Sequence, residues 1–221
     1  MAIKPILFNT EMVRAILDGR KSCTRRLVKT RRKDACGFYV TRKTDGTFAG
    51  IYEYDESEIM FDNPLEPLYQ PGDILYVRET VWQKIGHYLD IDGETRHGIT
   101  SLSTLHQTKS QKRGGIIVWA KRPSIHMPKE AARIWLKVTD VRVERLQEIT
   151  EAGAEAEGAV NNIGMIHAPD NEYDHIHTAK EHFIEIWNST IKKSDIDRYG
   201  WDANPYVWVI EFERCEKPEG V

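Results

Sequence analysis

Pro71-Gly72-Asp73-Ile74-Leu75-Tyr76-Val77-Arg78-Glu79-Thr80 reads as a tight turn, a short apolar strand and a charged exit. Proline presets the first turn residue and glycine takes the positive φ that follows it, so Pro71-Gly72 reverses the chain before Asp73. The unbroken apolar run Ile74 to Val77 fits a strand buried within a sheet. Its C-terminal end delivers Arg78 and Glu79, with Trp82 close behind. Charged groups carried to the end of a rigid strand are candidates for binding or chemistry.

Working toward the N-terminus, Asp45-Gly46 lies between the alternating runs Phe38-Tyr39-Val40 and Phe48-Ala49-Gly50-Ile51-Tyr52, which predicts an inserted hairpin over 37–54. The basic stretch Lys21 to Lys29 is expected as a second helical turn or an exposed connection. Before it, Asn9 or Thr10 caps a short amphipathic helix whose stripe is Met12, Val13, Ile16 and Leu17, and Asp18-Gly19 ends it. Ile3 to Phe8, with Pro5 inside, reads as a first or edge strand.

Toward the C-terminus, residues 84–115 are polar and glycine-rich and are expected to form a long, mobile loop. Ile116–Ala120 and Ile134–Val143 read as strands separated by a proline-containing segment. Thr150 caps a helix over 151–157 closed by Gly158. Thr178 caps a longer one through Ile191, with Phe183, Ile186, Trp187 and Ile191 at helical spacing. Tyr206–Phe212 alternates as a closing strand.

The chain has 221 residues, 40% of them hydrophobic, and six tryptophans. That length buries a full core, expected as one domain over 1–221 with insertions at about 30–70, 84–115 and 159–177. Cys23, Cys36 and Cys215 are scattered and odd in number, which suits a reducing cytoplasm rather than a disulfide framework. The longest apolar runs fall short of the roughly 20 residues of a membrane span, so no membrane partner is expected. Residues 1–33 hold ten Lys and Arg against Glu11 and Asp18, whereas residues 139–221 hold eight against eighteen Asp and Glu. Either one face suits an anion, or the two segments meet and neutralise each other.

Gly19-Arg20-Lys21-Ser22-Cys23-Thr24 resembles the Gly-x-Lys-x-x-Thr opening of ASCH domains, a branch of the PUA-like barrels. Pro71 to Thr80 resembles the second block of that family, and Ala203 to Phe212 the terminal strand of its longer phage and prophage members. The resemblance covers roughly 4–26, 71–82, 116–145 and 201–213. It implies an α+β fold: a PUA-like open β-barrel with flanking helices, the hairpin and the long loop being insertions. It also implies a function directed at a nucleoside, single-stranded RNA or a modified base. One family member is an N(4)-acetylcytidine amidohydrolase, whose catalytic Lys, Thr and Glu correspond to Lys21, Thr24 and Glu79. Thr24 is then the nucleophile and Lys21 its base, with neither metal nor cofactor. Other members are described as RNA binders, so a noncatalytic base-reading module stands as the alternative, and a phage morphogenesis or host-interaction role as a third.

The residues allow that chemistry and expose a tension in it. In a helix over 19–26, Lys21 and Thr24 share a face at i and i+3. A threonine hydroxyl needs an adjacent base, and lysine serves only when deprotonated, whereas an ionised Glu79 beside it favours the charged form. Glu79 acting through water, with Lys21 holding the oxyanion, is the other arrangement. Lys21 and Glu79 as a plain salt bridge, with Thr24 as a cap, is the structural one. Arg20, Arg25, Arg26 and Arg78 are ligand-binding candidates, because guanidinium groups fork to phosphates and stack on bases. Trp82 and Trp201 are candidate stacking platforms. Cys23 is a lesser rival nucleophile, and Asp174, His175, His177 and His182 form a weak metal pattern. The sequence leaves the oligomeric state open.

Overall fold

The computed structural model describes residues 1–89, 95–103, 111–112, 115–161 and 178–220, and over 81–122 it is the backbone that is described. The fold is mixed α+β, with a core built mostly of sheet. The chain divides into two units. One comprises Met1–Val13, Asp73–Lys137 and Arg214–Val221, the other Arg14–Gly72 and Val138–Glu213.

In the first unit, β1 (Ile3–Leu7) runs parallel to the strand read from Ile74–Leu75–Tyr76–Val77, with Ile3 opposite Ile74 and Leu7 opposite Arg78. Asp73, at the turn, fixes this register: its carboxylate accepts from the Ala2 amide at 2.9 Å and from Lys4 Nζ at 2.7 Å. In the described order β1 is an edge, the position in which Pro5 and its missing N–H are tolerated. Helix α1 (Thr10–Leu17) follows, its first turn in this unit and the remainder in the second, with Asn9 Oδ1 accepting from the Met12 amide at 2.8 Å as the cap. Gly19 ends it at φ +76°, and the Arg20 and Lys21 amides close back onto the Ala15 carbonyl at 2.9 and 3.0 Å.

In the second unit, β2 (Cys23–Leu27) and the hairpin of β3 (Gly37–Arg42) and β4 (Phe48–Tyr54) follow, the hairpin turning at Gly46 with φ +82°. The hairpin expected over 37–54 is thus present. Buried Glu53 on β4 accepts from the Arg31 and Arg32 amides at 2.6 and 3.2 Å, which ties the chain beyond β2 to the hairpin.

Back in the first unit, β5 (Ile74–Arg78) leads to β6 (Val81–Leu89), β7 (Thr95–Ser103), β8 (Gln111–Lys112) and β9 (Gly115–Arg122), a sheet ordered β7-β6-β9-β8. The loop expected over 84–115 is therefore corrected to strands wherever that stretch is described. Its glycines read as loop punctuation, yet Gly86 and Gly98 face each other across the ladder. Backbone pairing in a sheet does not require apolar side chains.

Strand β10 (Trp135–Arg145) contributes Trp135–Lys137 to the first unit and the rest to the second. Its start pairs with β5, Trp135 lying opposite Tyr76, and Ile74, Tyr76, Met127, Ala132 and Trp135 form the core there. In the second unit the order is β10-β11-β2, β11 being Tyr206–Cys215. Helices α2 (Glu151–Ala156), α3 (Ala179–Thr190) and α4 (Ile196–Tyr199) complete it. Thr150 and Thr178 cap α2 and α3 as expected, Thr178 in a reciprocal box with Glu181. Phe183 and Trp187 bury against Leu146, Ile149, Val207 and Val209. Most of the expected insertion at 159–177 lies outside the described residues, as do Asp174, His175 and His177.

The strand orders described are open, and no barrel closes among the described residues. Nor, among them, is any helix long and apolar enough to cross a membrane.

Candidate functional site

Strand β2 organises the site. Opposite β11 its register runs Cys23 to Glu211, Thr24 to Ile210, Arg25 to Val209, Arg26 to Trp208 and Leu27 to Val207. Residues directly opposite in an antiparallel pair share a face, and faces alternate along the strand. Thr24, Arg26, Trp208 and Ile210 therefore stand on one face. Cys23, Arg25 and Leu27 stand on the other, with Val207 and Val209 against the helices. The helix expected over 19–26 is corrected: Gly19 turns the chain out of α1, and the ladder to β11 takes up the backbone that follows. A helix would have grouped Thr24 with Lys21, whereas the strand groups it with Arg26.

On the helix face lies a buried charge network. Lys21, 3% exposed, donates from Nζ to the Cys23 carbonyl at 2.8 Å, the Glu157 carbonyl at 2.8 Å and Glu157 Oε2 at 2.7 Å. Three oxygens around one nitrogen match the three donors of an ammonium. Arg25 reaches Glu144 at 3.1 Å and Glu157 at 3.5 Å, and its guanidinium lies 6.0 Å from the Phe183 ring. Here the basic start of the chain meets its acidic end, so these charges neutralise each other inside the protein. Cys23 sits in the same network, and its thiol is pushed up to about 12, first by burial and then by the charge of Glu157. A neutral, buried thiol is a poor nucleophile.

The opposite face opens into a cavity of about 310 Å³, at the small end of the roughly 300–1,000 Å³ typical of small-molecule sites. Arg26 and Trp208 line it from the sheet, and Leu65, Leu68 and Tyr69 from the segment that follows the hairpin. That segment is set in place by the Leu65 amide donating to the Ile51 carbonyl at 2.7 Å. Phe48 braces Trp208 edge-on, the ring centroids being 6.3 Å apart. Burial pulls the half-buried Arg26 guanidinium below its ordinary value, while the charge of Glu157 acts the other way. Burial likewise raises the Tyr69 phenol, opposed by Arg26. Thr24, 2% exposed, is one step along the same face, opposite the lining residue Ile210. The cavity thus sets the Arg26 guanidinium, with Lys29, Arg31 and Glu66, beside aromatic and aliphatic walls.

The remaining expected residues fall elsewhere. Glu79 belongs to the first unit, where Arg133 grips its carboxylate with two hydrogen bonds of 2.8 Å. Arg78, in the same unit, donates to the Tyr76 hydroxyl at 3.1 Å. Trp82 lies in β6, paired with Ser103 and Lys121. Arg20 reaches Asp18 and the Gly158 carbonyl at the surface. Trp201, partly buried, packs edge-on against Phe183 beside the helical core. Glu157, Trp208 and Tyr69 were not among the expected residues. Only the pairing of β2 with β11 puts Trp208 opposite Arg26, and no local pattern encodes that register. Among the described residues no group of three His, Cys, Asp or Glu side chains is arranged to hold a metal, and His182 Nδ1 accepts from the Val160 amide at 3.1 Å.

No family model, curated protein or solved structure matches the chain.

Proposed function

We propose that the chain is an ASCH-type, PUA-like module of a reducing cytoplasm, and that the cavity in its second unit binds a nucleobase, as a nucleoside or within single-stranded RNA. The observation that carries this reading is the direct opposition of Arg26 and Trp208 at the cavity wall. An arginine fork reads the carbonyl and ring-nitrogen edge of a base, and an aromatic neighbour contacts its flat face. Base–aromatic contacts are worth about 1–3 kcal/mol each, so Trp208→Leu should weaken binding by about fivefold or more. Titration of cytidine and N(4)-acetylcytidine into wild type, Arg26→Gln and Trp208→Leu tests this. Equal affinity in all three, with folding intact, would rule the cavity out.

A second reading, hydrolysis of an acetylated base, is supported by the position of Thr24 beside the cavity. Its hydroxyl would add to the acetyl carbon, the amine would leave with a proton, and water would then release acetate from the acyl-threonine. Lys21 lies in the network on the opposite face, its Nζ bonded to the Cys23 and Glu157 carbonyls and to the Glu157 carboxylate, so on this reading the Thr24 proton would go to another acceptor. Chromatographic turnover of N(4)-acetylcytidine by wild type, Thr24→Ala, Lys21→Ala and Glu79→Gln separates the readings. Acetate release abolished in Thr24→Ala, with affinity kept, supports catalysis; no release from wild type leaves the binding module.

A further inference from the structure

The second unit holds another cavity, of about 280 Å³, between the hairpin, the chain after β10 and the short helix α4. Arg145 and Arg198 line it, together with Thr30, Tyr54, Tyr199 and Tyr206, and no carboxylate residue is in its wall. This sets it apart from the network around Lys21, where every cation meets an acid. Arg145 stacks on Tyr206 at 3.7 Å and spends one N–H on the Asn204 carbonyl at 3.0 Å. Its guanidinium carries five N–H groups, so the stacked, oriented fork keeps donors to offer. Arg198 lies over Tyr199 at 5.1 Å and has no hydrogen bond or carboxylate among the described residues. Val28 is in the walls of both this cavity and the one beside Arg26, so the two adjoin along the chain that leaves β2.

We infer that this second cavity is a phosphate site, in which Arg145 and Arg198 hold the phosphate next to a base seated against Arg26 and Trp208. Two guanidinium groups with hydroxyl neighbours and no competing acid select a tetrahedral oxyanion, and arginine forks bind phosphate bidentately. The placement beside the base cavity rests on the proposed function, whereas the anion site itself does not. On this assignment the ligand is a nucleotide or a strand rather than a free nucleoside, and each phosphate contact steepens the salt dependence by about 0.7 in the logarithmic slope for a single strand.

The test titrates cytidine, cytidine monophosphate and a short oligocytidylate into wild type, Arg198→Gln and Arg145→Gln at two salt concentrations, with circular dichroism reporting folding. The expected result is a gain of about tenfold for the phosphate-bearing ligands over cytidine, lost in Arg198→Gln while cytidine affinity is unchanged. A gain for the oligomer alone assigns the phosphate to a strand; a gain for the monophosphate as well admits the free nucleotide. Cytidine binding with no gain from phosphate overturns the inference and leaves the base cavity standing. Arg198-dependent binding of the oligomer without any binding of cytidine would do the reverse. No binding of any of the three overturns both.

Discussion

Lys21 is one of the most heavily bonded side chains of the second unit, and that constrains what any substitution of it reports. Removing one member of a buried ion pair leaves the other charge unsatisfied, at a loss of roughly 3–5 kcal/mol. Lys21→Met and Glu157→Gln are each expected to lower stability by about 3 kcal/mol in denaturant titrations, and the double variant by clearly less than the sum. Additive losses would show that the pair is not coupled. The state of Cys23 makes a separate prediction. Its folded thiol titrates near 12, above the ordinary 9, so between those values the unfolded chain has lost a proton that the folded chain keeps. Stability from this group is therefore full below pH 9 and falls as pH rises toward 12. With a thiol reagent at pH 8, exposed Cys36 should react first, half-buried Cys215 later and buried Cys23 only on unfolding. Equal rates would contradict its placement. Lys21 and Thr24 could be singled out in the sequence as residues with something to do, but their partners could not, because a buried lysine declares a need for a carboxylate without saying which.

At the scale of elements, legibility followed local chemistry. Caps, glycine stops and the Asp-Gly hairpin are encoded within four or five residues, so α1, α2, α3 and the β3–β4 hairpin could be read directly. Strand β2 could not, since Cys-Thr-Arg-Arg-Leu has no apolar alternation and becomes a strand only by pairing with residues nearly two hundred positions away. Strands β6 and β7 pair locally and were missed for another reason, their glycines and polar side chains reading as loop. Two substitutions measure how firmly local signals hold. Thr178→Ala removes a capping box and should lower stability by about 1 kcal/mol. Gly158 is held at φ +92°, and a Cβ there would come within 2.8 Å of Ala15 Cβ, so Gly158→Ala should lower it by about 2 kcal/mol. Both are read as shifts in the denaturation midpoint. A neutral Gly158→Ala would mean that the chain around Lys21 relaxes more readily than its packing suggests.

For the whole molecule, the charge polarity along the sequence proves to be partly internal: Lys21 and Arg25 are consumed by Glu144 and Glu157, and Arg31 leans on Glu53. Arg26, Arg145 and Arg198 line cavities. If binding runs through these two cavities alone, oligonucleotide affinity should fall only shallowly with salt, with a logarithmic slope nearer one or two than five. A steep slope would point to a broad basic surface rather than two discrete pockets. Sequence could supply the charge count but not this sorting, which depends on which strand face each arginine takes.

Edge strand β1 has a different sort of consequence, for how the protein behaves in a crowded solution. In the described sheet order this five-residue strand comes last, and Pro5 leaves it one amide donor short, which makes it a poorer template for a neighbouring chain than an unbroken strand would be. Pro5→Thr would restore the row, and the cost should appear as faster turbidity on heating, before any change in the unfolding temperature.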